Sequence, residues 1–479
     1  MTITTRPTAA GPSLLGGSIE LPPSACRHQP AQPVEPWTGQ EGTAGTVAVV
    51  GAGKMGLPLA AQFAGHGWSV IAVDVQQSVV DAINDGQSHV AEEPGLAEAV
   101  AAAHRAGRLR ATTDGAAAAR ESDVVVIIVP VLLDDEQQPE YRYMDSAVAS
   151  VAGGVHRGLT VIFETTLPVG DTRSRFTPPL EAASGLRADR DFYVAFSPER
   201  LFSGQVFRNL ATYPKLVGGI GRPSTERAAA FYGSVLDTEI VAMSSSEAAE
   251  FSKLADTTYR DVNIALANEF ARYADRVGVD IQEVIAAANS QPYSHVHQPG
   301  IGVGGHCIPV YPHFLLSRAP EMELVDVSRR VNDSQVGLAI KAIQKALGGL
   351  EGVPVLVLGL TYREGVKELA YSRAMPLIER FSFHGAQVSA YDPLFSADEI
   401  ERCCAKPYLW GEPGPFRAIV TQTADPLFHS IDFSLFPDLE VLFDGRNSMR
   451  DVELPLNVAY QGVGVQDQTR ALRAAAVTR

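Results

Sequence analysis

The sequence predicts an α/β protein in which two doubly wound parallel sheets are joined by a long central helix. Short apolar runs alternate with helical segments in the first part. A stretch of helical periodicity follows, and the strand–helix–strand pattern then returns towards the end. The 479 residues leave room for two or three domains of about 150 residues each.

The first sheet is predicted from residue 46 onwards. Residues 47–50 and 70–74 are short apolar runs on either side of a helix-like segment. Further buried strands are predicted at residues 124–129, 160–163 and 193–196. Because alanine-rich helical segments separate these runs, we expect the strands to be parallel.

A helical region and a second α/β unit follow the first sheet. In residues 246–290 the apolar side chains recur at helical spacing, which predicts one long helix and a partner. These side chains are Phe251, Leu254, Tyr259, Val262, Ala265, Leu266 and Phe270. The second unit is predicted as a strand at 354–359, a helix at 374–384 and a strand at 388–392.

The changes of pattern predict four regions of the chain. They are a disordered tail at 1–45, an α/β domain at 46–245, a central helical region at 246–335 and a second α/β domain at 350–465. The tail is rich in proline and cannot bury enough apolar area to fold. It also lacks the apolar run of about 7–15 residues that a secretory signal needs.

Composition excludes several classes of protein. The chain is 46% apolar and 20% charged, which is ordinary for a soluble globular protein, and no stretch approaches the ~18 apolar residues of a membrane span. The formal charge of −16 disfavours binding to nucleic acid or to an anionic membrane. The few, unevenly placed cysteines favour a reducing cytoplasm over a disulfide framework, and they contain no CxxC zinc pair. They are Cys26, Cys307, Cys403 and Cys404.

A glycine-rich turn follows the first predicted strand. Gly51, Gly53 and Gly56 form G-x-G-x-x-G between a strand and a helix, where they would allow a tight turn, close approach of a pyrophosphate and helix packing. Asp74 ends the second strand roughly 20 residues on, where a carboxylate can bind the ribose hydroxyls and repel a 2′-phosphate. The pattern predicts a Rossmann-like domain that binds NAD in preference to NADP. The alternative is a purely structural glycine turn.

A second glycine-rich segment, residues 300–305, leads to His306 and Cys307. Such dense glycines indicate that the backbone lies close to another group or needs positive φ. Cys307 could present its sulfur to a ligand, with His306 helping to lower the pKa of the thiol. A small buried thiol and, less favoured, a His–Cys metal site are the alternatives. Cys403 and Cys404 are interpreted as buried thiols.

Eight ordered segments resemble one protein family. They are VVGAGKMGLP at 49–58, NDG at 84–86 with EPGL at 93–96, TTLPVG at 165–170, SPER at 197–200, Lys253 with YRDVNIA at 259–265, GGHCI at 304–308, YDP at 391–393 and DGRN at 444–447. Together they are similar to the UDP-glucose/GDP-mannose dehydrogenase family of nucleotide-sugar 6-dehydrogenases. The resemblance covers about residues 46–450.

This resemblance implies a fold and a reaction. The fold would have two Rossmann-like domains, of which the first binds NAD and the second binds a nucleoside-diphosphate sugar, and a long central helix that forms a homodimer. The reaction would be a four-electron oxidation of a C6 alcohol to a carboxylate with two NAD. A thiolate would add to the intermediate aldehyde, and water would release the acid from a thioester.

The resemblance also implies roles for individual residues. Cys307 would be the nucleophile, Lys253 the cation that stabilises oxyanions, Thr166 a hydrogen-bond partner of the reacting oxygen or a water, and Glu199 an aid to thioester hydrolysis. Without the family, Lys253 would be interpreted as a solvated helix lysine, Thr166 as a cap and Glu199 as a surface carboxylate.

Cofactor and substrate residues follow in the same way, with no metal implied. Those at NAD would be Gly51, Gly53, Met55, Gly56, Asp74, Val131, Thr166 and Arg446. Those at the nucleotide sugar would be Arg200, Leu201, Phe202, Lys253, Gly302, Gly304 and Arg363. Arg200 favours the N-acetylhexosamine branch, with UDP- or TDP-glucose as alternatives.

Three departures from the family pattern mark a variant branch. Thr257 replaces an asparagine and Tyr311 replaces an aspartate, so both are candidates for the catalytic hydrogen bonds. The usual Asp-Leu-Arg reads Glu-Leu-Ala at 368–370, with Lys367 and Arg373 nearby as substitutes.

Two other functions remain open at this point. The glycine turn also resembles that of β-hydroxyacid dehydrogenases, which would catalyse a two-electron oxidation without a thiol. A non-catalytic nucleotide-sugar-binding protein is the second alternative, since the departures could have removed the activity.

Overall fold

The computed structural model describes residues 44–202 and 204–466. Cys26 and nearly all of the predicted tail lie outside the described residues. Within the described ranges, no helix combines the length and the apolar composition needed to cross a membrane.

The first sheet has eight strands. They are β1 (Thr46–Val50), β2 (Ser69–Val73), β3 (Leu109–Thr112), β4 (Val124–Ile127), β7 (Thr160–Phe163), β8 (Tyr193–Phe196), β9 (Lys215–Gly219) and β10 (Ile240–Ala242), with β5 (Leu132–Leu133) and β6 (Pro139–Glu140) forming a separate hairpin. Their order is β10-β9-β8-β7-β4-β1-β2-β3. The pairing is parallel except between β8 and β9, which run antiparallel. The switch at β1 and β4 makes the sheet doubly wound, as predicted.

Helices cover both faces of this sheet. They are α1 (Gly56–Gly65), α2 (Gln77–Asn84), α3 (Leu96–Arg105), α4 (Gly115–Arg120), α5 (Arg142–Ala152), α6 (Thr177–Ser184), α7 (Val206–Thr212) and α8 (Arg222–Val235), with a π-helical turn at Thr172–Phe176. Two apolar clusters separate the helices from the sheet. Because both faces are buried, the central strands are continuous apolar runs rather than alternating ones.

A helical region follows, with α9 (Ser246–Val277), α10 (Ile281–Ala288), α11 (Tyr311–Leu316) and α12 (Glu323–Leu347). Helix α9 has 32 residues and packs along α12. Ser245 caps its start, and Gly278, with φ +75°, ends it. The predicted long helix and partner are therefore present.

The second sheet has seven strands in the order β13-β12-β11-β14-β15-β16-β17. They are β11 (Pro354–Leu358), β12 (Gln387–Tyr391), β13 (Lys406–Pro407), β14 (Ala418–Thr421), β15 (Val441–Asp444), β16 (Ala459–Gly462) and β17 (Val465–Gln466), with helices α13 (Ala374–Phe383) and α14 (Ala397–Arg402). Two 3₁₀ turns lie at Pro426–Ser430 and Phe433–Leu435. All strands are parallel except the last pair. The predicted strand–helix–strand unit at the start of this sheet is present.

Candidate active site

Three glycines shape the turn after β1. Gly51 has φ +98°, and its N–H donates to the Val73 carbonyl oxygen over 2.8 Å. A Cβ at Gly56 would lie 1.8 Å from the Gly51 carbonyl oxygen, whereas a Cβ at Gly53 would meet no atom within 4 Å. Packing therefore explains Gly51 and Gly56. Gly53 borders open space, into which a pyrophosphate would fit against the backbone.

Asp74 lies beside this turn, directly after β2. Its carboxylate accepts hydrogen bonds from the Ala52 N–H at 3.1 Å and the Gln76 N–H at 2.9 Å. The side chain is only partly buried, so further lone pairs can accept ribose hydroxyls. The geometry fits the dinucleotide that the sequence predicts.

Cys307, Tyr311, Thr166 and Lys253 come together from three parts of the chain. Tyr311 begins α11, and its side chain lies close enough to the Cys307 thiol and the Thr166 hydroxyl for both groups to act on its pKa. Lys253 Nζ lies 5.8 Å from the centre of the Tyr311 ring. Burial and the adjacent thiol raise the pKa of Tyr311 above its usual value, so the phenol is protonated at neutral pH.

Lys253 is buried on α9. Among the residues that the structure describes, no carboxylate forms an ion pair with its ammonium group. Thr257 is buried one helical turn further on, so the two side chains share one face of the helix. An ammonium group without a partner carboxylate can stabilise negative charge on a bound ligand.

The glycine-rich loop before the thiol packs on the second α/β domain. A Cβ at Gly302 would lie 3.1 Å from the Arg373 side chain, and one at Gly304 would lie 2.7 Å from Tyr362. Arg373 also donates from Nε to the Val303 carbonyl oxygen. The glycines therefore allow the loop to lie against protein atoms.

The other residues predicted at the cofactor lie in different surroundings. Met55 is the residue before α1, and Val131 is buried in an apolar cluster under the sheet. Arg446 donates from Nε to the Gln422 carbonyl oxygen at 2.7 Å and from Nη1 to that of Gly302 at 3.4 Å. Arg446 thus links the second sheet to the glycine-rich loop.

A polar link joins the dinucleotide turn to the second domain. Lys54 Nζ lies 3.4 Å from Glu92 and 3.4 Å from Glu368, and His306 Nε2 lies 3.3 Å from the same Glu368 oxygen. The His306 hydrogen bond and the charge of Lys54 lower the pKa of Glu368 to about 2. The His306 ring therefore faces Glu368, and its effect on the Cys307 pKa stays a prediction.

Glu199 follows β8 and is held by two donors. Lys215 Nζ lies 3.3 Å from its carboxylate, and the Arg200 N–H donates to it at 2.6 Å. Lys215 Nζ also lies 3.1 Å from Glu164, which is fully buried at the end of β7. Glu199 is thus part of a buried charged group rather than a surface carboxylate.

The residues predicted at the substrate lie in two domains. The Arg200 side chain donates to the Pro214 carbonyl oxygen, and Leu201 packs against an apolar cluster of the first domain. Phe202 is exposed, with the Arg363 guanidinium 6.0 Å from the centre of its ring. Phe202 and Arg363 therefore meet across the two α/β domains.

Sequence reasoning missed Glu164, Lys215 and the Lys54–Glu368 link. A charged residue directly after a buried strand, as at Glu164, was a usable signal, because such positions meet at the carboxyl edge of a sheet. Nothing in the sequence placed Lys215 there. Within the described ranges, no group of three or more His, Cys, Asp or Glu side chains could hold a metal ion.

Models of one family match most of the chain. They describe the UDP-glucose/GDP-mannose dehydrogenase family, with its NAD binding domain at residues 45–236, its central domain at 247–334 and its UDP binding domain at 356–451. The chain belongs to this family. The family predicted from the ordered motifs is thereby confirmed.

Individual family members are similar over most of the chain. A UDP-N-acetyl-D-mannosamine dehydrogenase of Pyrococcus horikoshii is 34% identical over 431 residues, which are 88% of this chain and 99% of that protein. An NDP-N-acetyl-D-galactosaminuronic acid dehydrogenase of Ralstonia nicotianae is 35% identical over 341 residues, 70% of this chain and 79% of that protein. The solved structure of the Pyrococcus horikoshii UDP-D-ManNAc dehydrogenase has 33% identity and a TM-score of 0.79, covering 88% of this chain and 99% of that chain.

Membership of the UDP-glucose/GDP-mannose dehydrogenase family confirms several predictions. The protein is an NAD-dependent nucleotide-sugar dehydrogenase, and therefore an oxidoreductase, with the predicted two-domain α/β fold. A two-electron β-hydroxyacid dehydrogenase and a non-catalytic binding protein are not favoured by these similarities. The roles of individual residues belong to the proposal that follows.

Proposed function

We propose that this dehydrogenase oxidises the C6 alcohol of a nucleoside-diphosphate hexose to the uronate, with Cys307 as the nucleophile. The contact of Tyr311 with both Cys307 and Thr166, beside Lys253, carries the proposal. A thiol, two hydroxyl groups and an ammonium at one place match the needs of a thiohemiacetal and its oxyanion.

NAD would be held by the turn of Gly51, Gly53 and Gly56, with its ribose on Asp74, and would accept the hydride in each oxidation. The open space at Gly53 supports this position. The partly exposed Asp74 carboxylate would favour NAD over NADP, because it would repel a 2′-phosphate.

The protein residues act in sequence on the C6 carbon. The C6 alcohol loses a hydride and its hydroxyl proton, the proton passing to solvent, as it becomes an aldehyde, and Lys253 stabilises the C6 oxygen. The Cys307 sulfur then bonds to the aldehyde carbon as the thiol gives up its proton and the carbonyl oxygen gains one. Loss of a second hydride and a proton from this thiohemiacetal leaves a thioester on Cys307.

Hydrolysis of the thioester completes the reaction. Water adds to the thioester carbon with Glu199 taking its proton, the C–S bond breaks, and the proton passes from Glu199 to the Cys307 sulfur as the acid forms. Tyr311 and Thr166 donate hydrogen bonds to the oxygen that carries the developing charge, while Thr257 keeps Lys253 in place on α9. Tyr311 would thus take the place of the aspartate found in the family.

The substrate is proposed to be a UDP-N-acetylhexosamine, with UDP- and TDP-glucose as the alternatives. Support comes from Arg200 in the SPER segment and from the relatives named above, whose names contain N-acetylated sugars. Phe202 and Arg363 would bind the nucleotide sugar between the domains, together with Leu201. Gly302 and Gly304 would place the loop backbone beside it.

A homodimer through α9 is proposed because this helix has an exposed apolar stripe. The stripe consists of Phe251, Tyr259, Leu266, Phe270, Tyr273 and Val277. A second copy would bury the stripe in a self-complementary contact. The double substitution Leu266→Glu/Phe270→Glu should convert the dimer into a monomer, as measured by analytical ultracentrifugation. Leu456→Glu, at an exposed leucine outside the stripe, should leave the dimer unchanged.

The remaining assignments are proposals of the same kind. The NAD-binding domain would span 46–245, the dimerisation region 246–335 and the substrate domain 350–465, although α12 runs across residue 335. The low cysteine content supports a cytoplasmic enzyme.

Counting NADH against acid tests the proposed reaction. We expect two NADH per uronate from one member of a panel of UDP-, TDP- and GDP-hexoses. Cys307→Ala should bind NAD and nucleotide sugar normally, yet form no thioester and very little acid, with the aldehyde trapped by hydroxylamine. Cys403→Ala is the matched control and should keep the two-to-one ratio. Near-normal acid formation by Cys307→Ala would contradict the proposal.

A further inference from the structure

Glu164, Lys215 and Glu199 form a buried charged group behind the Thr165–Thr166 turn. Lys215 Nζ lies 3.1 Å from Glu164 Oε1 and 3.3 Å from Glu199 Oε2. The Lys215 and Glu164 side chains are 6% and 0% exposed, respectively. Two carboxylates therefore share one ammonium group, and of the three side chains Glu199, at 12% exposed, is the one most open to solvent.

The group is built from neighbouring strand ends. Glu164 directly follows β7 and Glu199 follows β8, and the Glu199 N–H donates to the Glu164 carbonyl oxygen at 3.3 Å. Lys215 is the first residue of β9, which runs antiparallel to β8 with Phe196 opposite Gly218. Extending that register brings Lys215 opposite Glu199.

Lys215 is the cation that contacts the Glu164 carboxylate, beside the negative charge of Glu199. The Tyr232 hydroxyl on α8 donates to Glu164 Oε1, and Lys215 faces it from β9. Its other oxygen, Oε2, has no hydrogen-bond partner among the described residues. Burial and the negative charge of Glu199, partly offset by Lys215, raise the pKa of Glu164 above its usual value. Lys215 is therefore the cation that offsets the mutual repulsion of the two carboxylates.

We propose that Lys215 is a positioning residue for thioester hydrolysis, because its ammonium group lies between the two carboxylates and holds Glu199 in place against the negative charge of Glu164. This inference rests on the proposed role of Glu199 as the base that takes a proton from water. Removing the ammonium group would leave the two carboxylates in contact. Such a pair holds one proton between them, so Glu199 could no longer take a proton from water.

Charge-matched variants test the inference. Lys215→Met should slow hydrolysis of the Cys307 thioester by about 10²-fold at pH 7, the low end of the effect of a positioned base. Its rate should recover at higher pH, because the remaining carboxylate pair loses its proton there. The double variant Lys215→Met/Glu164→Gln restores the original net charge of the group, so it should regain most of the rate.

The measurement separates hydrolysis from the earlier steps. Mass spectrometry after rapid mixing follows the lifetime of the thioester, while NADH in the first turnover reports the oxidations. NAD binding and the first oxidation should stay within about twofold of the unmodified protein, because Lys215 contacts neither NAD nor C6 in this proposal.

Distinct results would overturn distinct claims. Normal hydrolysis in Lys215→Met, or no recovery in a double variant that melts like the unmodified protein, would overturn the role of Lys215. If Lys215→Met does not fold, the double variant is compared with Glu164→Gln alone, because both lack the Glu164 charge and only Glu164→Gln keeps the ammonium group. Similar rates and pH profiles of thioester hydrolysis in these two variants support the inference. A much slower hydrolysis in the double variant overturns it. Normal hydrolysis in Glu199→Gln would instead remove the proposed base, and absence of any thioester in the unmodified protein would remove the proposed function.

Discussion

The two α/β domains begin with the same turn and use it differently. Gly51 after β1 and Gly359 after β11 both have positive φ, +98° and +90°, and each donates its N–H at 2.8 Å to the carbonyl oxygen of the last residue of the next strand. Asp74 and Asp392 follow those strands at equivalent positions. The local geometry is therefore shared.

The two aspartates differ in the exposure of their carboxylates and in the lone pairs that remain free to accept hydrogen bonds. Asp392 is 2% exposed, and its oxygens accept from the N–H groups of Leu360, Thr361 and Leu394. Asp74 is partly exposed and keeps lone pairs at the rim of the turn. Of the two aspartates, only Asp74 has a partly exposed carboxylate with lone pairs left for a ligand.

The start of the next helix explains the difference. Helix α1 begins at Gly56, whereas α13 begins only at Ala374. The intervening segment of the second domain contacts the glycine-rich loop before Cys307, with the Ala370 carbonyl oxygen accepting from Gly305 N–H at 3.0 Å. The same turn thus borders open space in the first domain, where we propose that the pyrophosphate binds, and supports the Cys307 loop in the second.

The largest effect is expected from a substitution of Tyr311, which lies beside the Cys307 loop that the second domain supports. Tyr311→Phe removes the hydroxyl that contacts Cys307 and Thr166, so turnover should fall by roughly 10²-fold while the NAD dissociation constant stays unchanged. Stopped-flow NADH formation and NAD titration measure the two effects. Tyr408→Phe, in the second domain, is the control. Full activity in Tyr311→Phe would make Tyr311 a packing residue only.

The next test breaks the dinucleotide turn. Gly56→Ala places a methyl group 1.8 Å from the Gly51 carbonyl oxygen, so the turn must open. We expect NAD affinity to fall about 10- to 100-fold, since such overpacking costs roughly 1–3 kcal/mol. Calorimetric titration with NAD checks this. Gly65→Ala is the control on the same helix, because no atom lies within 4 Å of the added Cβ. Equal NAD affinities in the two variants would contradict NAD binding at the Gly51–Gly56 turn.

The same substitution at the two aspartates tests whether Asp392 serves stability and Asp74 serves cofactor preference. Asp392→Asn should lower the free energy of unfolding by about 1–3 kcal/mol, because its amide group would face buried N–H donors. Asp74→Asn should instead leave unfolding nearly unchanged and narrow the preference for NAD over NADP, because the repulsive charge is lost. Denaturant titration and cofactor titration measure the two effects. A result with the two effects exchanged would refute the comparison.

The smallest effect is expected from the proline-rich tail. Deleting residues 1–40 should leave the melting temperature and turnover nearly unchanged, because neither turn needs a contact with that segment. Calorimetry and an NADH assay on the shortened chain check this. A large loss of either would show that the tail docks on the folded domains.

The sequence alone determined seven of the strands, the dinucleotide turn and the family. Residues 160–163 and 193–196 were predicted to the residue, because buried parallel strands are continuous apolar runs with charged or polar ends. The strand predicted at 124–129 ends at Ile127, since the chain leaves the sheet towards the dinucleotide turn. The glycine spacing with Asp74 gave NAD, and the ordered motifs gave the nucleotide-sugar reaction.

Only the tertiary structure decided which side chains share a site. Tyr311 reaches Thr166 because α11 packs on α9 and the first sheet, and Lys215 reaches Glu199 because β9 reverses direction relative to β8. Strand direction and helix docking depend on long-range burial, which leaves no local pattern in the sequence. Asp74 and Asp392 look equivalent along the chain, and the packing of the following segment alone makes one a ligand position and the other a buried cap.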